Sequence, residues 1–279
     1  MPPMPPTPIS PPPKSASPPT IAATIDLAAE RLAQAGCPSP LADAEALIES
    51  AMGGSLTRSS DALIPAPERC VVAEYVERRA SREPVEYILG FCRFRGIELA
   101  VDHRVIVPQE RSGVLVDFAL ELPTGSRVHD VGTGSGAIAL ATKCERPDLI
   151  VSGSDISRGA VAVAGGNAAR LQLDVPFEVQ RGLPPGDYDL VVASLPYRGE
   201  DDGPASRLEY ANHQPHIAVY AGRNGLDTIR DFVADAPPGL RVALEHDPSQ
   251  AVQVQALLRE PRTVTDMLGD DRATIGVVA

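Results

Sequence analysis

The spacing of apolar and polar residues divides the chain into a short tail and two larger stretches. Residues 1–19 contain ten prolines and few large apolar side chains. This composition cannot bury a core and predicts a disordered, proline-rich tail. Apolar residues recur at helical spacing over residues 20–83, whereas short apolar runs alternate with helical segments over residues 105–279. The pattern predicts two folded domains over these two stretches.

Three amphipathic helices are predicted in the first domain. Thr20 is a favourable N-cap, and the helix that follows it should end at Gly36. A second helix should end at Gly53, and a third should begin at Pro67. Three helices of this length form a bundle that is marginal alone, so we expect it to be stabilised by the rest of the chain.

Residues 84–104 are predicted to form a hairpin linker between the domains. Apolar and polar residues alternate over residues 94–101 on both sides of Gly96, as in two short paired strands. Beyond the linker, Ser112 is expected to cap a helix over residues 113–122.

The second domain alternates buried strands with helices. Alternation of this kind predicts an α/β fold, in which a largely parallel sheet is covered by helices on both faces. A ligand is then expected at the carboxyl ends of the strands. The predicted strands are residues 128–131, 149–153, 177–179, 189–193, 241–245 and 274–278, and the predicted helices after the first strand are residues 137–140 onward, 158–171, 226–236 and 250–258.

A glycine-rich segment between the first strand and its helix is the main candidate for ligand binding. It consists of Gly132, Thr133, Gly134, Ser135 and Gly136, and we call it the glycine turn. Glycines remove Cβ atoms where the backbone approaches a ligand, and the free N–H groups of the helix start are expected to face that ligand. The glycines are spaced G-x-G-x-G, which differs from the glycine patterns of dinucleotide-binding turns and phosphate-binding loops.

Two acidic residues indicate which ligand the glycine turn holds. Asp130 precedes the turn, and its carboxylate suits a ligand that carries an ammonium or sulfonium group. Asp155 ends the next strand, where a carboxylate can accept both hydroxyls of a ribose. Acid, glycine turn and acid in this order predict S-adenosylmethionine as the cofactor. The alternative is that both acids only cap strand ends.

Composition argues against several other classes of function. A net charge of −12 and an aromatic content of 4% without tryptophan disfavour nucleic acid as a partner. No apolar run is long enough to cross a membrane, and no secretion signal is evident at the N-terminus. The four cysteines lack a C-x-x-C pair and are expected to be free, buried thiols in the cytoplasm. No metal site is predicted.

Taken in order, the motifs resemble the HemK-type release-factor glutamine methyltransferases. The resemblance runs from about residue 42 to the C-terminus and includes the segment Pro84-Val85-Glu86-Tyr87-Ile88-Leu89-Gly90, the glycine turn and Gly222-Arg223-Asn224-Gly225. It implies a Rossmann-like class I methyltransferase sheet of seven strands with the last strand antiparallel, preceded by a small helical domain that recognises the substrate. It also implies that the substrate is a protein glutamine, in an exposed loop of a peptide chain release factor.

The chain departs from the family pattern at the segment expected to hold the methyl acceptor. The family has Asn-Pro-Pro-Tyr after the fourth strand, whereas this chain has Ser194, Leu195, Pro196 and Tyr197. In the family, the Asn side chain and an adjacent backbone carbonyl accept the amide N–H groups, and the Tyr ring packs on the amide. The resemblance therefore implies catalytic roles for Ser194, Pro196 and Tyr197, with Ser194 also at the cofactor.

Three hypotheses about the reaction follow from this substitution. The protein methylates a release-factor glutamine with altered contacts, or it methylates another nucleophile on a protein or a small molecule, or it binds the cofactor without transferring a methyl group. A second departure from the family pattern lies near the expected adenine site, where Arg181 and Gly182 stand in place of an acid, unless that acid has moved to Asp187.

Overall fold

The computed structural model describes residues 18–54, 61–202 and 208–279. The predicted disordered tail lies outside the described residues except for its last two positions. The described residues divide into two compact units, with the boundary between Ala80 and Ser81. The predicted boundary was a few residues later, at residue 83.

The first unit contains the three predicted helices, which we number α1 (Ile21–Gln34), α2 (Pro40–Met52) and α3 (Ala66–Ala80). The Thr20 hydroxyl accepts a hydrogen bond from the Ala23 amide at 3.2 Å, as expected of an N-cap. Gly53 ends α2 in the left-handed conformation, with φ of 70°. The predicted helices are therefore confirmed together with their end signals.

A buried ion pair joins two helices of the first unit. Arg79 of α3 donates to the Asp43 carboxylate of α2 at 2.7 Å, and the two residues are only 5% and 8% exposed. A buried ion pair of this geometry constrains how α2 and α3 pack.

The second unit begins with a helix and hairpin that precede the main sheet. These elements are α4 (Val85–Leu89), β1 (Phe91–Phe94), β2 (Ile97–Ala100) and α5 (Gly113–Leu120). The hairpin is antiparallel, and Phe94 and Leu99 are fully buried in the same core as the large sheet. The segment predicted as a linker therefore packs as part of the second unit.

A seven-stranded sheet forms the centre of the second unit. Its strand order is β5-β4-β3-β6-β7-β9-β8; β3 to β7 are parallel, and β9 is antiparallel to both of its neighbours. This confirms the predicted α/β fold with an antiparallel last strand. The strands are β3 (Arg127–Val131), β4 (Ile150–Asp155), β5 (Phe177–Val179), β6 (Leu190–Ala193), β7 (Arg241–Glu245), β8 (Leu258–Thr265) and β9 (Asp271–Val278), and the helices are α6 (Ala137–Glu145), α7 (Arg158–Leu171), α8 (Leu208–His213), α9 (His216–Val219), α10 (Asp227–Asp235) and α11 (Ala251–Gln255).

The order of the strands fixes where a ligand can bind. Strands β4 and β6 lie on opposite sides of β3, so the chain changes direction across the sheet at β3. Apolar clusters cover both faces of the sheet. The open crevice of such a sheet lies at the carboxyl ends of its strands, next to the point where the order reverses. The glycine turn follows β3 at this point.

Three local predictions were wrong. Residues 250–258 were predicted as one helix, whereas α11 ends at Gln255 and Leu258 begins strand β8. The Ser112 side chain does not cap α5, and its hydroxyl bonds elsewhere in the unit. Two of the four free cysteines, Cys70 and Cys144, are exposed rather than buried.

In the described part of the chain, no helix is long and apolar enough to cross a membrane.

Candidate active site

The glycine turn is held by backbone hydrogen bonds to the end of β4. The amides of Gly132 and Thr133 both donate to the Ser154 carbonyl at 2.9 Å. The Gly134 amide donates to Asp155 Oδ2 at 3.0 Å. These three N–H groups lie before the helix start whose amides were predicted to face the ligand, and the end of β4 already accepts all three. A ligand can therefore pack against the surface of the turn but cannot accept hydrogen bonds from these three amides.

The three glycines of the turn serve different purposes. A Cβ atom at Gly132 would lie 3.0 Å from Leu195 Cδ2, and one at Gly136 would meet Leu140 and Phe177 at 3.0 and 3.1 Å. A Cβ at Gly134 would meet nothing within 4 Å, and Gly134 lines the crevice. All three glycines have a positive φ, which favours glycine. Packing inside the protein adds a second reason at Gly132 and Gly136, whereas the open side of Gly134 leaves room for a ligand.

Asp130 lies beneath the turn and not in the crevice. It is 1% exposed, and the Thr133 hydroxyl donates to its Oδ2 atom at 2.7 Å. Its Oδ1 atom has no hydrogen-bond partner among the described residues. Burial raises the pKa of Asp130 to about 7, despite the hydrogen bond from Thr133. The predicted direct contact between this carboxylate and a cationic ligand is not supported, and Asp130 instead holds Thr133 and the turn.

Asp155 lies in the wall of a cavity of about 290 Å³ at the end of β4. Its Oδ1 atom accepts the Ser157 amide at 2.8 Å and its Oδ2 atom accepts the Gly134 amide. Burial raises the pKa of this carboxyl, and the two amide bonds oppose that rise. Each carboxylate oxygen keeps a further lone pair for a hydroxyl group. The position at the cavity wall is the one expected of a ribose-binding acid.

The same cavity has the walls that a purine base needs. Ile156, Ala160 and Phe232 supply apolar surface, and Gln180 supplies an amide. Arg181 and Gly182 also line this cavity, whereas Asp187 does not. The departure noted in the sequence therefore lies at the cavity itself, without a replacement acid from Asp187.

Residues 194–197, which we call the strand-end segment, separate this cavity from a larger one. Ser194, Leu195 and Pro196 line both cavities, and Tyr197 lines the larger one, whose volume is about 550 Å³. The Tyr197 carbonyl accepts a hydrogen bond from Gln250 Nε2 at 2.8 Å. The predicted catalytic residues are thus brought together with Gly132 and Gly134 around one crevice.

The sequence left Glu245 open between a role in the site and structural capping, and it included Gln250 only as part of the family resemblance. Glu245 is 1% exposed, lines the larger cavity, and accepts hydrogen bonds from Ser112 at 3.1 Å and from the Tyr197 hydroxyl at 3.4 Å. Its position was the available signal, because an acid is unexpected at the end of the buried strand β7. Gln250 has no signal of this kind beyond its place in the family resemblance.

The two cavities together fit S-adenosylmethionine. The molecule carries a base, a ribose and an amino-acid portion joined at a sulfonium. The apolar walls and Asp155 suit the base and ribose, and the open face of Gly134 leads from them to Ser194. A methyl group held between these ends would face the larger cavity, where an acceptor has room.

The role of Asp155 leads to a prediction about affinity. Asp155→Ala should weaken binding of S-adenosylhomocysteine by about 1–3 kcal/mol, because hydrogen bonds to a charged group are lost and the Gly134 amide loses its partner. Calorimetry measures this directly, with Asp155→Asn as a control that keeps one acceptor oxygen. Equal affinity of the alanine variant and the parent protein would show that Asp155 does not hold the cofactor.

Comparisons with known proteins identify the family. The family model described as PrmC N-terminal domain matches residues 24–90, and the one described as Methyltransferase small domain matches residues 111–207. The chain is similar to the release factor glutamine methyltransferase of Deinococcus radiodurans, with 37% identity over 83% of this chain and 87% of the relative. The release factor glutamine methyltransferases of Caulobacter vibrioides and Koribacter versatilis are 35% and 33% identical, over 90% and 92% of this chain and 93% and 98% of the relatives. The chain belongs to the release factor glutamine methyltransferase family, as the motifs implied, and is an S-adenosylmethionine-dependent methyltransferase.

Proposed function

We propose that the protein transfers a methyl group from S-adenosylmethionine to the side-chain amide nitrogen of a glutamine in a peptide chain release factor. The observation that carries this proposal is the shared wall of the two cavities. Ser194, Leu195 and Pro196 border the Asp155 cavity on one side and the larger cavity on the other. A methyl donor and a planar acceptor on either side of this wall would meet at the strand-end segment.

An amide nitrogen is a poor nucleophile because its lone pair is delocalised into the carbonyl group. S-adenosylmethionine supplies an electrophilic methyl group when bound. The protein's part is to place the amide nitrogen in line with that group, which lowers the barrier through proximity and orientation. We assign the Ser194 hydroxyl to accept one amide N–H and the Tyr197 ring to pack against the plane of the amide. Pro196 limits the backbone freedom of the segment.

The rigidity of the segment supports these roles. Leu195 is 8% exposed and packs against Gly132, and Gln250 holds the Tyr197 carbonyl. Ser194 therefore lies between the end of β6 at Ala193 and the buried Leu195. Its hydroxyl has a shorter reach than the family's Asn side chain.

That difference in reach predicts a gain of activity. Ser194→Asn should raise kcat/KM on a release factor about tenfold, because the amide oxygen restores a hydrogen bond of about 1–1.5 kcal/mol to the acceptor. Ser194→Ala is the matched control and should lower kcat/KM. Steady-state kinetics decide the matter, and a loss of activity in the Asn variant would contradict glutamine as the acceptor.

The acceptor class is tested by transfer of a labelled methyl group. The protein is incubated with tritiated S-adenosylmethionine and either purified bacterial release factor or a small-molecule extract. We expect label in the release-factor band. Label confined to the small-molecule fraction would mean that the acceptor is a small molecule and not a release factor. Absence of label from both fractions would contradict the proposed methyl transfer.

We place this reaction in the cytoplasm. Release factors act on ribosomes there, and all four cysteines of the chain are free, as suits a reducing compartment. Separation of cell fractions, with the protein followed by antibody, tests the location.

A further inference from the structure

Helix α9 and the residues beside it form one wall of the space that fits the cofactor. We call residues 208–220, which contain α8 and α9, the α8–α9 segment. Part of it lines the Asp155 cavity, part lines the larger cavity, and Ala218 lines both. The residues of the segment that line a cavity are Pro215, Ile217, Ala218, Val219 and Tyr220. A shift of the segment would therefore change the shape of both cavities.

One end of this segment is joined to the chain that follows the strand-end segment. The Arg198 amide donates to the Val219 carbonyl at 3.1 Å, and the Ala221 amide donates to the Arg198 carbonyl at 2.9 Å. Val219 and Ala221 are each 4% exposed. Backbone hydrogen bonds and burial therefore hold the α9 end of the segment, whereas different contacts hold the α8 end.

A bidentate ion pair holds the α8 end, and both of its residues belong to the second unit. Arg82 Nη2 donates to Glu209 Oε2 at 2.9 Å, and Arg82 Nε donates to Glu209 Oε1 at 3.1 Å. The two side chains are only 14% and 10% exposed. His213 Nε2 also donates to the Ser81 carbonyl at 3.1 Å. Paired N–H···O bonds restrict direction as well as distance, so the ion pair restricts where α8 can lie.

The backbone of Arg82 indicates that its side chain has a role. Its φ of 72° lies in the left-handed region, which glycine adopts freely and arginine adopts only with strain. Strained residues persist where surrounding contacts hold them, and the ion pair with Glu209 is such a contact. Neither residue lines either cavity, so an effect of the pair on the cofactor is indirect and runs through the α8–α9 segment.

We propose that Arg82 is a positioning residue for S-adenosylmethionine, which holds the α8–α9 segment in place through its ion pair with Glu209. With the pair intact, the segment keeps the cavity walls in the arrangement that binds the cofactor. Without the pair, the segment occupies that position for only part of the time, and the apparent affinity falls by the same fraction. The proposal concerns the cofactor alone and is independent of the methyl acceptor.

Arg82→Gly tests this role, because it removes the ion pair and at the same time relieves the backbone strain. Calorimetry with S-adenosylhomocysteine should show a dissociation constant raised at least about fivefold, as expected if the segment is in place for a fifth of the time. Hydrogen exchange followed by mass spectrometry should show faster exchange over residues 208–220, with strands β3 and β6 unchanged. A role in overall stability alone would not confine the change to this segment.

Arg95→Gly is the matched control. Arg95 also has a positive φ, of 45°, and makes a bidentate ion pair with Glu145 at 2.6 and 2.8 Å. Neither Arg95 nor Glu145 lines either cavity. This variant should bind S-adenosylhomocysteine with a dissociation constant within about twofold of that of the parent protein.

A double variant shows whether Arg82 acts through Glu209. Glu209→Ala should raise the dissociation constant as Arg82→Gly does, and adding Arg82→Gly to it should change the constant by less than about twofold. An additive loss in the double variant would overturn the proposal. An unchanged dissociation constant in Arg82→Gly would also overturn it, as would a raised constant without faster exchange over residues 208–220. If Arg82→Gly does not fold, Glu209→Ala is tested by the same two measurements, and the same outcomes decide.

Discussion

Gly225→Ala is expected to destabilise the protein by at least about 3 kcal/mol and to abolish methyl transfer. Gly225 has a φ of 74°, a backbone conformation that alanine adopts only with strain. A Cβ atom there would lie 2.1 Å from the Tyr197 carbonyl oxygen and 2.7 Å from Gln250 Nε2. The backbone oxygen cannot rotate away as a flexible side chain would, so the strand-end segment itself must move.

The expected loss has two measurable parts. Denaturant unfolding should show a lower free energy of unfolding for Gly225→Ala. The fraction of this variant that folds should not transfer the methyl group, because the Tyr197 carbonyl no longer meets Gln250. Gly165→Ala is the matched control, since Gly165 lies exposed in α7 with nothing within 4 Å of the added Cβ. It should stabilise the protein by about 0.5–1 kcal/mol. Near-equal stability of the two variants would contradict the close approach at Gly225.

Asp130→Asn is expected to gain stability relative to the parent protein as pH rises. Burial raises the pKa of Asp130 from 3.8 to about 7. The folded state therefore keeps a proton that the unfolded state releases, and the parent protein loses stability as pH rises from about 4 through about 7. An Asn at this position does not titrate, and its amide oxygen can still accept the Thr133 hydroxyl.

The difference between the two proteins isolates this effect. Their free energies of unfolding should diverge by about 2–4 kcal/mol between pH 4 and pH 8, in favour of the variant at the higher pH. Burial lowers the pKa of His129 to about 4, which acts in the opposite direction below pH 6.5, but His129 is present in both proteins. A constant difference across this range would mean that Asp130 is already ionised in the folded state at pH 4.

Local end signals made much of the fold predictable from the sequence. Helix α7 occupies the predicted residues because Ser157 caps it and the apolar face is continuous. Strand β7 likewise matches its prediction, since buried strands of a parallel sheet are unbroken apolar runs. Where the apolar pattern and the capping residues agree, local sequence predicts the bounds of an element without knowledge of its tertiary contacts.

Other elements lacked such a signal. Strand β8 lies at the sheet edge, is mostly exposed, and contains a left-handed Glu260, so its sequence shows no strand pattern. Ser112 follows the pattern of an N-cap, but its hydroxyl bonds to Glu245, which is 133 residues away. Long-range partners of this kind cannot be inferred from local sequence.

The sequence predicted some members of the candidate site but not its geometry. Asp155, Gly134 and Ser194 line one crevice, as expected from the ends of neighbouring parallel strands. The positions of Asp130 under the turn and of the turn amides on Ser154 depend on how β3 and β4 pack. Glu245 joins Ser194 in the lining of the larger cavity because β6 pairs with β7, and local sequence does not show that pairing.

Mass spectrometry of the methylated product tests the central claim most directly. Purified release factor is incubated with the protein and S-adenosylmethionine, digested, and the modified residue is located by fragmentation. We predict a single added methyl group on the side-chain amide nitrogen of one glutamine, formed more slowly when Asp155→Ala replaces the parent protein at limiting cofactor. A methyl group on any other residue type, or an unmodified release factor, would contradict the account.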